Sequence, residues 1–133
     1  AGQYTRQALM NLGTLYKVED VSDITTEEIS YALGGVPVSE QDSVSKVLTA
    51  VIEGSCEVGT TYYSDTYGYE DRLTILEAVS YDLTGDVLYP AARVVNEEAD
   101  EAQNAAADDF LKFILSDKAK AVFEAYYFDT EVE

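Results

Sequence analysis

The sequence has no histidine, no tryptophan, a single cysteine, two prolines and few cations. Its 8 Lys and Arg stand against 26 Asp and Glu, a formal net charge of −18 over 133 residues. Each scarcity removes a class of function. Cys56 alone cannot build a disulfide framework. A zinc site of His and Cys ligands has no ligand set, and Ser-His-Asp or Cys-His catalysis lacks its base. A surface this acidic repels a phosphate backbone instead of releasing its counterions, which argues against nucleic acid as a partner. No apolar run approaches the roughly 18 residues of a membrane span. Residues 1–13 carry an amphipathic helical pattern and lack the uncharged apolar stretch of a signal peptide.

What remains is a chain built to fold. A hydrophobic fraction of 47% is too high for a solvated acidic tail, and the length suits one domain with its own core. The acidity bears on solubility and long-range steering, not on fold or site.

Periodicity predicts a helix over residues 3–12, with Tyr4, Ala8, Leu9 and Leu12 at helical spacing and Gly13 as its terminator. Thr25 and Glu28 form a capping box for a second helix, running to about Leu33 and stopping at Gly34-Gly35. Asp42-Ser43 offers caps for a third, through Val44, Val47, Leu48, Val51 and Ile52 to Gly54. Val36-Pro37-Val38, Glu57 to Tyr63, Leu73 to Ser80 and Val87 to Val95 are rich in β-formers and read as strands, with Pro37 and Pro90 marking edges or interruptions. Ser64 to Asp71 reads as a loop with a helical turn. The C-terminal part is helical: Glu97 to Leu115 places Ala102, Ala106, Phe110, Phe113 and Ile114 on one face, and Ser116 caps a last helix carrying Ala119, Val122, Phe123 and Tyr126. Helix and strand in alternation predict an α/β architecture with a central sheet over residues 1–95, followed by a helical segment over 96–133.

Candidate chemistry is sparse. The carboxylates are so numerous that pairs arise by chance. Asp65, Glu70 and Asp71 lack the spacing of a calcium loop, so no metal is expected. Glu27-Glu28 and Glu97-Glu98 suit the first turns of helices electrostatically and need no catalytic role. Cys56 reads as a small buried residue. Tyr62-Tyr63, Tyr67 and Tyr69 cluster, either as packing at sheet ends or as hydroxyls lining a cleft. Two helix starts, Ala1-Gly2-Gln3 and Asp42-Ser43-Val44, could present unpaired amides to an oxyanion or could be ordinary caps.

These segments, in this order, resemble the molybdate-binding solute receptors. The resemblance begins at Ala1-Gly2-Gln3-Tyr4 with Ala8-Leu9 and Leu12-Gly13. It continues through Ser43-Val44 to Val51-Ile52-Glu53-Gly54, Val58-Gly59 and Tyr62-Tyr63-Ser64-Asp65. Leu88-Tyr89-Pro90-Ala91-Ala92 is similar to the family's returning hinge strand, and Phe110 to Ser116 with Ala119, Val122-Phe123-Glu124 and Tyr126 to Phe128 to its C-terminal ending. The C-terminal pattern is shared by many two-lobed receptors, whereas the AGQY start combined with Tyr62 is more specific to oxyanion receptors.

The resemblance implies a three-layer α/β/α lobe of the type II periplasmic-binding-protein kind. Residues 1–95 would be the second lobe, and 96–133 the C-terminal helices that pack toward a first lobe. It implies a solute-binding component of an ABC importer, not an enzyme. The ligand would be molybdate or tungstate, with no other cofactor and no metal. The donors carried over are the backbone N–H of Ala1, the backbone N–H of Val44 and the Tyr62 hydroxyl. Asp42 would put a carboxylate near that anion. The partners implied are the membrane subunits of the permease, and the location is extracytoplasmic, in the periplasm or as a cell-surface lipoprotein. The apolar face of Phe110, Phe113, Ile114 and Phe123 is expected to promote self-association. The rival readings are a receptor for sulfate or another small solute, and an acidic α/β interaction module with no small ligand.

Overall fold

The computed structural model describes residues 1–131. The chain divides into two compact units, Ala1–Val87 and Leu88–Glu133.

The first unit is organised by short, well-punctuated helices. Helix α1 (Gly2–Asn11) ends at Leu12, and Gly13 takes a φ of 81°, which a side chain would resist. A 3-10 turn follows at Val21–Asp23, its Asp20 cap accepting from the Ser22 amide. Helix α2 (Thr26–Ala32) has the expected capping box: Thr25 Oγ1 accepts from the Glu28 amide, and the Glu28 carboxylate accepts from the Thr25 amide. Helix α3 (Val44–Ile52) is capped by Ser43, not Asp42. A second 3-10 turn spans Tyr63–Thr66, where a helical turn was expected in the loop, and α4 (Tyr81–Thr84) is one short turn that packs on α1. Asn11 Nδ2 reinforces that contact by donating to the Leu83 carbonyl at 2.6 Å. The core is Leu15, Ile24 and Ile29, with Leu9, Met10, Val18, Val21, Ala32 and Val38 packed against it. These residues come from α1, the 3-10 turn, α2 and the segments that follow them, so the core of this unit lies where these elements meet.

The expected three-layer α/β/α arrangement is overturned. Among the described residues there is no β-strand. Residues 36–38, 58–62, 73–80 and 85–96, which include most of the four expected strands and the hinge-like Leu88 to Ala92, run without regular structure, and Tyr63 of the second expected strand opens a 3-10 turn instead. The reason is physical. A strand exists by its ladder to a neighbour, and a high content of Val, Thr and Tyr favours an extended, half-buried backbone without supplying the partner. Here the side chains meant for a sheet face water: Val94 and Val95 are 83% and 80% exposed. Pro90 also removes a backbone donor from the longest of these stretches.

The second unit is a helical pair. Helix α5 (Glu101–Ile114) starts at Asp100 with a capping box closed by Gln103, and α6 (Asp117–Ala125) is capped by Ser116 as expected. The less exposed line of α5 runs through Asn104, Ala107, Leu111 and Ile114, while Phe110 and Phe113 are exposed. Tyr89 and Phe123 both meet the Phe128 ring edge to face, at 5.6 and 6.0 Å between centroids. Arg93 pairs with Asp108 at 2.9 Å.

Candidate functional site

The start of α1 opens onto a cavity of about 620 Å³. Its walls are the first turn of α1, Arg6, residues from 22 to 26, Glu40 and Tyr62. Three features of the local sequence make this place unusual.

First, α1 begins without a side-chain cap. Ala1 occupies the N-cap position and has no oxygen to offer the first-turn amides. Its carbonyl is engaged, accepting from the Thr5 amide at 2.9 Å and from Thr5 Oγ1 at 3.1 Å. The first turn of a helix concentrates unsatisfied N–H groups and a partial positive charge. In α2, α4, α5 and α6 an acidic residue occupies that turn. In α1 and α3 none does. These are the two helix starts that the sequence marked, although Asp42 stands just before the Ser43 cap and Glu40 lies close to Gly2.

Second, Tyr62 is brought to Ala1 from far along the chain. The Ala1 nitrogen donates to the Tyr62 hydroxyl at 2.9 Å across 61 positions. The Tyr62 ring meets Tyr4 edge to face at 6.3 Å, and the Thr5 and Thr60 hydroxyls hydrogen-bond at 2.9 Å. The segment carrying Tyr62 is steered by Gly59, which lies close against α3. A Cβ there would come within 2.6 Å of Val47 Cγ1 and 3.1 Å of Val51 Cγ2.

Third, the cavity has a charged pair that the sequence reading missed. Arg6 is buried, and its Nε donates to the Ile24 carbonyl at 2.8 Å, its Nη1 to the Gly2 carbonyl at 3.2 Å and its Nη2 to Glu40 Oε2 at 3.1 Å. Arg6 and Glu40 are 34 positions apart, so no spacing rule joins them. The available signal was a cation on the helix whose start had already been singled out.

Ala1 and Tyr62 therefore share one cavity, and Val44 is not among its lining residues. Val44 begins α3, behind Ser43, whose hydroxyl accepts from the Lys46 amide at 3.3 Å. The Asp42 carboxylate is paired with Lys46 Nζ at 2.6 Å. Cys56 is a half-buried free thiol. Asp65 accepts from Thr61 Oγ1 at 3.4 Å, and Glu70 from the Gly68 amide at 3.0 Å. Among the described residues no three His, Cys, Asp or Glu side chains are gathered as a metal ion needs.

Two groups beyond the cavity titrate abnormally because they hold each other. The Tyr16 hydroxyl donates to Glu28 Oε1. That bond, more than the Thr25 amide's, lowers the Glu28 carboxyl below its ordinary range, and the same bond raises the Tyr16 phenol.

Comparison with known proteins agrees with a binding role. The family model described as bacterial extracellular solute-binding protein matches residues 1–129. YvgL of Bacillus subtilis (strain 168), named an ABC transporter substrate-binding lipoprotein, is 27% identical over 131 residues. The match covers 98% of this chain and 42% of the relative, so the chain spans less than half the length of that protein. No solved structure matches the chain.

Proposed function

Since the chain belongs to the bacterial extracellular solute-binding proteins, we propose that it serves as a solute-binding component of an ABC importer, taking an oxyanion of the molybdate or tungstate type. It acts outside the cytoplasm, as its family does. In this reading it is a binding protein, and it hands its solute to the permease subunits in the membrane.

The observation that carries the reading is the meeting of the Ala1 nitrogen and the Tyr62 hydroxyl, 2.9 Å apart, on a cavity at an uncapped helix start. Such a place can hold a tetrahedral dianion by aligned N–H groups and hydroxyls, beside an Arg6 guanidinium already engaged by Glu40. The Val44 amide, the third donor that the resemblance implies, begins a helix with no acid in its first turn but lies outside the lining of this cavity. An acidic protein can bind an anion this way because short-range dipoles act where water is scarce, while surface carboxylates are screened within about 10 Å. Selection follows from size: sulfate, being smaller than molybdate, leaves donors unpaired.

The test is a two-dimensional amide NMR titration with millimolar molybdate, run against sulfate and phosphate. Molybdate-selective shifts at Gly2 to Tyr4 and at Tyr62 are expected. Equal shifts with all three anions, or none, overturn the oxyanion assignment.

A further inference from the structure

The cavity contains a charged pair that a purely dipolar oxyanion site does not need. Arg6 is fixed: its side chain is only 10% exposed, and two backbone carbonyls, of Ile24 and Gly2, hold its guanidinium independently of Glu40. Glu40 is different. Its side chain is 59% exposed, and it stands on residues 36–41, which have no regular structure. The pair lies against the start of α1: a Cβ on Gly2 would be 3.1 Å from Arg6 Nη1 and 3.7 Å from Glu40 Oε1. Both residues line the same cavity as Ala1 and Tyr62.

We propose that Glu40 is a resident carboxylate that occupies the cavity's one guanidinium and thereby restricts the site to anions that bind through oriented dipoles. A guanidinium without a partner attracts carboxylate, sulfate and phosphate alike, because its fork matches each of them. Its attraction depends on charge and only weakly on the size of a tetrahedral oxyanion. Hydroxyl and backbone donors, set at fixed positions, respond to size. With Glu40 on Arg6, the two charges cancel at a distance and size decides. Without Glu40, charge decides. The buried partner stays in place when the exposed one is removed, so the effect is on binding and leaves the fold standing. The choice of anion rests on the oxyanion reading above. The role of Glu40 does not depend on it.

The experiment compares the wild-type chain with Glu40→Gln, Glu40→Ala and the double variant Arg6→Gln/Glu40→Gln. Each is titrated with molybdate, sulfate and phosphate by amide NMR at fixed ionic strength. Both single variants are expected to bind sulfate and phosphate about tenfold more tightly than wild type, and to lose preference between anions. Their shifts should fall on Gly2 to Tyr4, and the double variant should return to wild-type behaviour. If the single variants are folded and bind all three anions as the wild type does, the pair is only a clip between α1 and the loop, and the proposal falls. It falls equally if no anion shifts any variant. If the wild type ignores molybdate while the Glu40 variants gain sulfate and phosphate, the role of Glu40 stands and the oxyanion assignment falls.

Discussion

The Ala1 nitrogen and the Tyr62 hydroxyl lie 2.9 Å apart, joined across 61 positions of sequence in the lining of one cavity. Tyr62 reaches this place on an irregular segment, fixed by the contact of its ring with Tyr4 and by the bond between Thr5 and Thr60. The hydroxyl is thus separable from the packing of the residue that carries it.

Tyr62→Phe should therefore keep the fold and weaken the site. The ring contact with Tyr4 survives, and the hydroxyl's hydrogen bond with the Ala1 nitrogen is lost. We expect molybdate affinity to fall by about 1 kcal/mol, roughly fivefold, with thermal stability little changed. Titration of the variant beside wild type, each with a melting curve, checks both parts. Unchanged affinity removes Tyr62 from the site.

Gly59→Ala should damage the same site through sterics. The new Cβ would meet Val47 Cγ1 at 2.6 Å, and valine is stiff about χ1, so the segment must move away from α3. A loss of about 1–3 kcal/mol is expected in urea unfolding. The amide resonances of Thr60 to Tyr62 should shift even without ligand. Wild-type stability would show that the segment accommodates the methyl without strain.

The Tyr16–Glu28 bond sets a pH window for stability. The folded Glu28 carboxyl is lowered, first by the Tyr16 hydroxyl and then by the Thr25 amide. Its contribution is therefore present above the ordinary carboxyl pKa and lost as pH falls through the lowered folded value. The folded Tyr16 phenol is raised, chiefly by the same bond. Its contribution is present below the ordinary phenol pKa and lost as pH rises through the raised folded value. Tyr16→Phe should thus be less stable than wild type at neutral pH and converge with it at both extremes. Melting temperatures of the two proteins across pH measure this directly, and a constant difference would show that the bond does not control the titration.

Much of the local structure was legible in the sequence because it depends on near neighbours. The Thr25 and Glu28 capping box, the Ser116 cap, and Gly13 and Gly54 past the ends of α1 and α3 each obey rules that span a few residues. The strands were misread because their evidence was composition. Residues 73–80 and 85–96 have the amino acids of a strand, but pairing is decided between distant segments and no local rule supplies it. The apolar face of α5 is left uncovered, as its expected role in association requires. Phe110 and Phe113 are exposed, and Ala107 and Leu111 lie on the less exposed line.

The sequence by itself determined the caps of α2, α3 and α6, the two first turns that carry no acid of their own, and the family of solute-binding proteins to which the chain belongs. Those properties reside in short-range hydrogen bonding, in local charge and in the order of the residues. Only the tertiary structure decided that Tyr62 meets Ala1 while Val44 lies off the cavity, and that Glu40 neutralises a buried Arg6. Those relations join residues dozens of positions apart, and which of them meet depends on how the intervening chain packs, which no spacing in the sequence encodes.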